Sequence, residues 1–207
     1  MRIIYLLVFV GAFFGCAQSK NSKVREKEVA LQTLDGKGTP AGQGREDTLK
    51  QHGQVVLWDI QGLWGGTALW ISPDGAGVCQ FVKHPTAGQK GLQATRYSFM
   101  LSQKERDTLI ALIGKHAFFT MKTKDRSGVP DEARPVIYIS RGKKMHAVGK
   151  WANDSHKDFD PLYRFLLAVA KAGEKGKQIP GGTFDWDWKP KGFPVNKKIW
   201  AMTSPKL

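Results

Sequence analysis

Cysteine is nearly missing from this chain: Cys16 and Cys79 are the only two in 207 residues, which excludes a disulfide-dense scaffold. Carboxylates are scarce as well. Against 32 Lys and Arg stand 18 Asp and Glu, a formal net charge of +14. An excess of that size favours anionic partners such as nucleic acid, anionic lipid or acidic polysaccharide, and says nothing about fold. The chain also lacks a run of about 20 apolar residues, the length needed to cross the hydrocarbon of a bilayer. Equally absent are the Gly-x-Ser-x-Gly elbow, the Gly-x-x-x-x-Gly-Lys-Ser/Thr loop, His-Glu-x-x-His and Cys-x-x-Cys, and with them the commonest hydrolase, nucleotide and zinc signatures. The five histidines (His52, His84, His116, His146 and His156) are too widely spaced for a helix-borne metal pair, so neither a metal nor another cofactor is expected. A convergence of His146, His156 and Asp160 in space would need the fold to create it.

What the chain does have begins at its N-terminus. Arg2 precedes the apolar run Ile3 to Phe14, which Gly15-Cys16-Ala17-Gln18 follows. A short basic start and a compact apolar stretch have the form of an export signal. Gly15-Cys16 resembles the end of a bacterial lipobox, which implies lipidation at Cys16, a membrane-anchored protein and a leader over residues 1–16. Phe13 and Phe14 depart from the usual box, and small residues at Gly15 and Ala17 leave ordinary cleavage after Ala17, with a secreted or periplasmic product, as the alternative. If Cys16 carries lipid, Cys79 is a lone thiol, and its setting in Gly77-Val78-Cys79-Gln80-Phe81-Val82 reads as a strand-borne small hydrophobe.

Residues 17–54 hold few aromatics, charges of both signs and the Gly-rich stretch Asp35 to Gly44. Such a composition buries too little apolar surface to offset the entropy of ordering, and reads as a flexible tether. Residues 55–173 carry the periodicities of a folded domain. Val55–Ile60, Thr67–Ser72, Val78–Val82 and Thr95–Leu101 read as strands, with Pro73-Asp74-Gly75 as a turn. Ser102 and Glu105 have capping-box spacing ahead of an amphipathic helix with Leu109, Ile110, Leu112 and Ile113 on one face. Pro135–Ser140 and Lys144–Val148 make a second hairpin about Arg141-Gly142-Lys143. A last helix is expected from Asp160 as N-cap and Pro161 as first residue to about Gly173. The fold class is therefore α+β: an antiparallel sheet of two hairpins plus extra strands, backed by two helices.

Residues 67–172 carry a resemblance. An Asp-Gly hairpin, a strand ending in Leu-Ser, a helix, the pair Phe118-Phe119, the element Pro130-Asp131-Glu132, a Gly-turn hairpin and a closing helix together resemble uncharacterised domains of bacterial secreted proteins and lipoproteins. The resemblance implies an α+β fold and an envelope location, and no activity.

Residues 174–207 form an extension rich in Trp, Pro and Lys. In Phe184-Asp185-Trp186-Asp187-Trp188 rings and carboxylates alternate, so an extended chain would put three aromatics on one face and two acids on the other. Trp186, Trp188, Asp185 and Asp187 are thus candidate ligand-binding residues, since a sugar offers apolar C–H faces and hydroxyl edges together. Rings that merely clamp the sheet would produce the same pattern. Asp131 and Glu132 are candidate acids for a hydrolase acting on an envelope polymer, which would need them at a defined separation across a sugar.

Charge is spread out, with +7 over residues 58–172 and +4 over 173–207. A nucleic-acid module gathers its cations and rings in one stripe, so no nucleic-acid partner is expected. Anionic lipid or acidic wall polymer suits an exported basic chain. These features point to an envelope protein with a binding or structural role. A polymer hydrolase and an inhibitor or partner-binding module are the alternatives.

Overall fold

The computed structural model describes residues 53–124, 126–127 and 131–203. The leader, Cys16 and nearly all of the expected tether lie outside the described residues. Seven strands follow one another as β1 Val55–Gln61, β2 Gly65–Ile71, β3 Ala76–Lys83, β4 Gln93–Met100, β5 Val136–Arg141, β6 Lys144–Gly149 and β7 Lys177–Thr183. The helices are α1 Gln103–Lys115, α2 Phe159–Gly173 and α3 Asn196–Thr203. All strands join one antiparallel sheet in the order β6-β5-β1-β2-β3-β4-β7, so the chain has the α+β fold that its periodicities imply.

The central strands show why the sheet has two covered faces. Val55-Val56-Leu57-Trp58 and Ala68-Leu69-Trp70-Ile71 are apolar at every position and buried at every position. A strand with one wet face would alternate, whereas an uninterrupted apolar run requires cover on both sides. Leu57, Leu69, Ile71, Cys79, Ile137, Ile139 and Val148 pack on one side beneath α1 and α2, through Leu109, Phe159, Leu162 and Leu166. Val56, Trp58, Ala68, Trp70 and Tyr138 face the other way. They meet a C-terminal strap, residues 184–203, whose Phe193 and Ile199 are buried and whose Phe184, Trp188 and Trp200 pack alongside. Two helices back the sheet as expected, and the extension adds a third layer opposite them.

The helix ends report their local chemistry. At α1 the Ser102 hydroxyl accepts from the Glu105 amide while the Ser102 amide donates to the Glu105 carboxylate at 2.8 Å, so the capping box is formed. At α2 the expected boundary is corrected: the helix begins at Phe159, and Asp158 takes the N-cap position without a side-chain capping bond. Asp160, expected to cap, lies inside the first turn, where it accepts from the His156 amide at 2.9 Å and pairs with Lys150 Nζ at 3.0 Å. Lys150, which follows β6, and the His156 amide together hold that carboxylate.

The extension takes two forms. β7 completes the sheet by pairing with β4, with a bulge between Ala94 and Arg96. The chain beyond it does not continue as a strand: the Asp185 carboxylate accepts from the Asp187 amide at 2.9 Å, and the Trp188 amide reaches the Asp185 carbonyl at 3.3 Å. Aspartate side chains favour such turns because they satisfy the backbone two residues on. The segment is therefore a turn and not a ribbon, and its rings reach the indoles of one sheet face, Phe184 and Trp186 at Trp58 and Trp188 at Trp70.

Candidate functional site

The β1–β2 connection, Gly62-Leu63-Trp64, is short because Gly65 and Gly66 reverse the chain at positive φ. A Cβ on Gly66 would collide with the Asp59 carbonyl oxygen, so only glycine fits there. This tight reversal pushes the two apolar side chains outward: Leu63 is 52% exposed and Trp64 68%. Trp64 meets the His84 ring edge-on at 5.9 Å. Next to them, Trp186 lies over the tip backbone, its Cζ2 placed 3.7 Å from where a Cβ on Gly62 would stand. Its ring is also held by Phe184 at 4.8 Å and by the buried Trp58 at 6.2 Å, yet 48% of the residue stays exposed.

The four residues singled out in the extension divide. Trp186 and Asp187 reach solvent at the tip, and the Asp187 carboxylate engages no described residue. Asp185 holds its turn. Trp188 is a clamp: it packs edge-on against Trp70 at 5.4 Å, and the Arg96 guanidinium covers its ring at 3.8 Å. Arg96 is buried, donating to Gln80 Oε1 at 2.6 Å and to the Pro180 carbonyl at 3.0 Å. Burial lowers its pKa from the usual arginine range, and the charge of Asp185 opposes that shift. Leu63, Trp64 and His84 are not among the candidates that the sequence offers. The signal for the first two is a pair of large apolar residues inside a Gly-rich turn, where polar residues normally stand.

The proposed acids lie near the same end of β1. Asp131 adopts φ +62 and its carbonyl accepts from the Gln61 amide group. Glu132 is fully engaged: Arg126 Nη2 donates to its two oxygens at 2.9 and 2.6 Å, and the Asn153 amide donates to Oε1 at 2.9 Å. The Asn153 amide, followed by Arg126, holds its carboxyl below the ordinary carboxylate range. Arg126 also bonds Asp154 at 3.0 Å, and Arg126 and Arg134 flank the Trp151 ring at 5.5 and 5.3 Å. This network ties three loop segments together. A carboxylate so held is an anchor, since a general acid needs a proton to give.

Other reactive side chains are also committed. His146 Nε2 bonds the Met121 carbonyl at 2.7 Å. The His156 ring bonds the Lys122 carbonyl and the Phe159 amide, both at 3.2 Å. The histidines do not converge with Asp160 on one point, and among the described residues no group of three or more His, Cys, Asp or Glu could hold a metal. Cys79 lies in β3 under the helices, 3.8 Å from the Tyr97 carbonyl, and burial pushes its thiol up to about 11. That removes the thiolate a nucleophile needs at neutral pH. A second polar group, built round the buried Lys150, joins the half-buried Asp59, Tyr163 and Asp160 between β1 and α2. The Tyr163 hydroxyl donates to Asp59 Oδ2 at 2.5 Å, and its pKa is raised by burial and by that carboxylate.

Comparison of the chain with protein-family models finds no match, and comparison with curated proteins finds none.

Proposed function

We propose that this is an exported bacterial protein, lipid-anchored at the cell envelope through Cys16, that binds saccharide units of an envelope polymer with the tip formed by Leu63, Trp64 and Trp186. The observation that carries this reading is the exposure of two indoles, 68% for Trp64 and 48% for Trp186, at one end of one sheet. Large rings normally contribute their area to the core, and gathered exposed ones mark a binding surface. A pyranose ring stacks its C–H face on such indoles while its hydroxyls donate to flanking carboxylates, here Asp187. Binding without cleavage fits the acids better than hydrolysis, because both oxygens of Glu132 are taken.

The test is retention of the full chain on purified, insoluble envelope polymer. Trp64→Ala should weaken retention about tenfold, equivalent to about 1.4 kcal/mol, with an unchanged thermal midpoint because that ring supports little of the core. Trp64→Ala combined with Trp186→Ala should abolish it. Undiminished retention of the double variant would refute the tip as the binding surface. The anchor has its own check in the intact mass of the mature protein, which should begin at a diacylated Cys16. An unmodified N-terminus at Gln18 would overturn it.

A further inference from the structure

The strand register assigns opposite ends of the sheet to the aromatic tip and to the start of the folded region. β1 runs from Val55 to the tip, and β5 runs back beside it, with Val136 opposite Trp58 and Ile139 opposite Val55. The β5–β6 turn therefore lies at the Val55 end, roughly 20 Å from the tip at about 3.3 Å per strand residue. Gln54 is bonded to this same end: its amide donates to Ser140 Oγ at 2.9 Å, and its carbonyl accepts from the Ser140 amide at 2.9 Å. The chain thus passes from its N-terminal part into the fold beside Arg141.

That end carries an open cavity of about 490 Å³ lined by Phe119, Arg141, Lys143 and Lys144, a volume within the usual range for ligand pockets of about 300–1,000 Å³. The pleat explains the lining. Ile137 and Ile139 point towards the helices, so Arg141 continues their row. Val148 does the same on β6, so Lys144, the register partner of Arg141, continues its row. Both long cations therefore project past the end of the core on the side where Phe119 follows α1. None of the three cations has an ion pair or side-chain hydrogen bond among the described residues.

We infer that this cavity binds the phosphate of an anionic glycerophospholipid headgroup, and that the β5–β6 end is the membrane-facing end of the domain. The inference rests on the envelope location proposed above. Arg141 supplies a planar fork matched to phosphate oxygens, and Lys143 and Lys144 supply point charges. Phe119 offers apolar contact to the glycerol and the first methylenes. A soluble organophosphate would satisfy the three cations equally well. The membrane source is favoured because the cavity stands where residues 17–54 lead into the fold, and an anchor at Cys16, at the far end of that segment, would raise the local concentration of headgroups. In that orientation the tip is turned away from the bilayer.

The test uses the full chain in neutral detergent micelles, which needs no acylation at Cys16. Short-chain phosphatidylglycerol, short-chain phosphatidylcholine and glycerol phosphate are titrated by calorimetry. Phosphatidylglycerol should bind at least tenfold more tightly than the other two. Arg141→Gln with Lys143→Gln and Lys144→Gln should remove that preference while leaving polymer retention intact. Equal affinity for phosphatidylglycerol and glycerol phosphate would overturn the lipid assignment, and a triple variant that keeps its preference would overturn the cavity. Trp64→Ala should not affect this titration, so failure of the saccharide reading and failure of this one are distinguishable.

Discussion

Lys150→Met is expected to lower the unfolding free energy by about 1–3 kcal/mol, between the worth of an exposed pair and that of a fully buried one, because the lysine is buried and the carboxylate it leaves is 24% exposed. Lys150 is 5% exposed. Its Nζ lies 3.0 Å from Asp160 Oδ1, donates to the Asp154 carbonyl at 2.6 Å, and sits 6.0 Å from the centre of the Tyr163 ring. Methionine fills a similar volume, so the loss is electrostatic: Asp160 and Asp59 remain with no buried cation. Urea denaturation at neutral pH reads the effect, and a loss below about 1 kcal/mol, the worth of an exposed pair, would show the cluster to be solvated.

The pH dependence gives a second signature, because the two carboxyls are shifted in opposite directions. Burial pushes Asp160 up, but the His156 amide, Lys150 and Arg164 outweigh it, and its pKa lies below the ordinary 3.8. Its contribution is therefore present above that ordinary value and disappears as pH falls through the folded one. Asp59 behaves in reverse. Burial holds its carboxyl above 3.8, against the lowering effects of the Tyr163 hydroxyl and Lys150. The folded chain keeps that proton where the unfolded chain has lost it, so this term weakens stability as pH rises from 3.8 through the folded value. Without the Lys150 ammonium both carboxyls move up. The deficit of Lys150→Met should thus be largest at neutral pH and shrink in acid. A deficit that does not vary with pH would contradict the pairing.

Deleting the chain from Phe184 onwards should abolish cooperative unfolding. Among the described residues it is the strap that covers the sheet face of Val56, Trp58, Ala68, Trp70 and Tyr138, and water on such a face leaves an apolar patch far larger than a monomer tolerates. Phe193 and Ile199 each contribute about 1.5–3 kcal/mol by burial, already a large share of the roughly 5–15 kcal/mol of a typical domain. Arg96 would lose the Trp188 ring stacked against it. The truncated chain should bind a hydrophobic dye and lose its near-ultraviolet tryptophan signal. A sharp thermal transition with that signal retained would show that the strap is dispensable.

Much of the fold was legible in the sequence, for identifiable reasons. β1 to β6 and the two long helices follow period and capping, and Ser102 with Glu105 marks a boundary that the structure keeps. β7 left no trace, because Lys177–Thr183 is exposed along nearly all its length and includes Pro180, Gly181 and Gly182; an edge strand with no buried face has no apolar alternation to read. The second sheet face is encoded in the unbroken apolar runs of β1 and β2, but those runs do not say which distant segment covers them. At the site, Trp186 and Asp187 stood out by composition. Trp64 joins them through tertiary placement, and Asp160 differs from its expected role because Lys150 is a neighbour only in space.

β7 also sets where the sheet stops growing. Pro180 brings no amide donor to it, Gly182 turns the backbone to φ +126, and the bulge opposite Ala94 and Arg96 breaks the register. An incoming strand would meet an interrupted ladder, a device by which exposed edges resist pairing with a second chain. For a protein proposed to be anchored on a membrane surface, such an edge lets neighbours come close without joining their sheets.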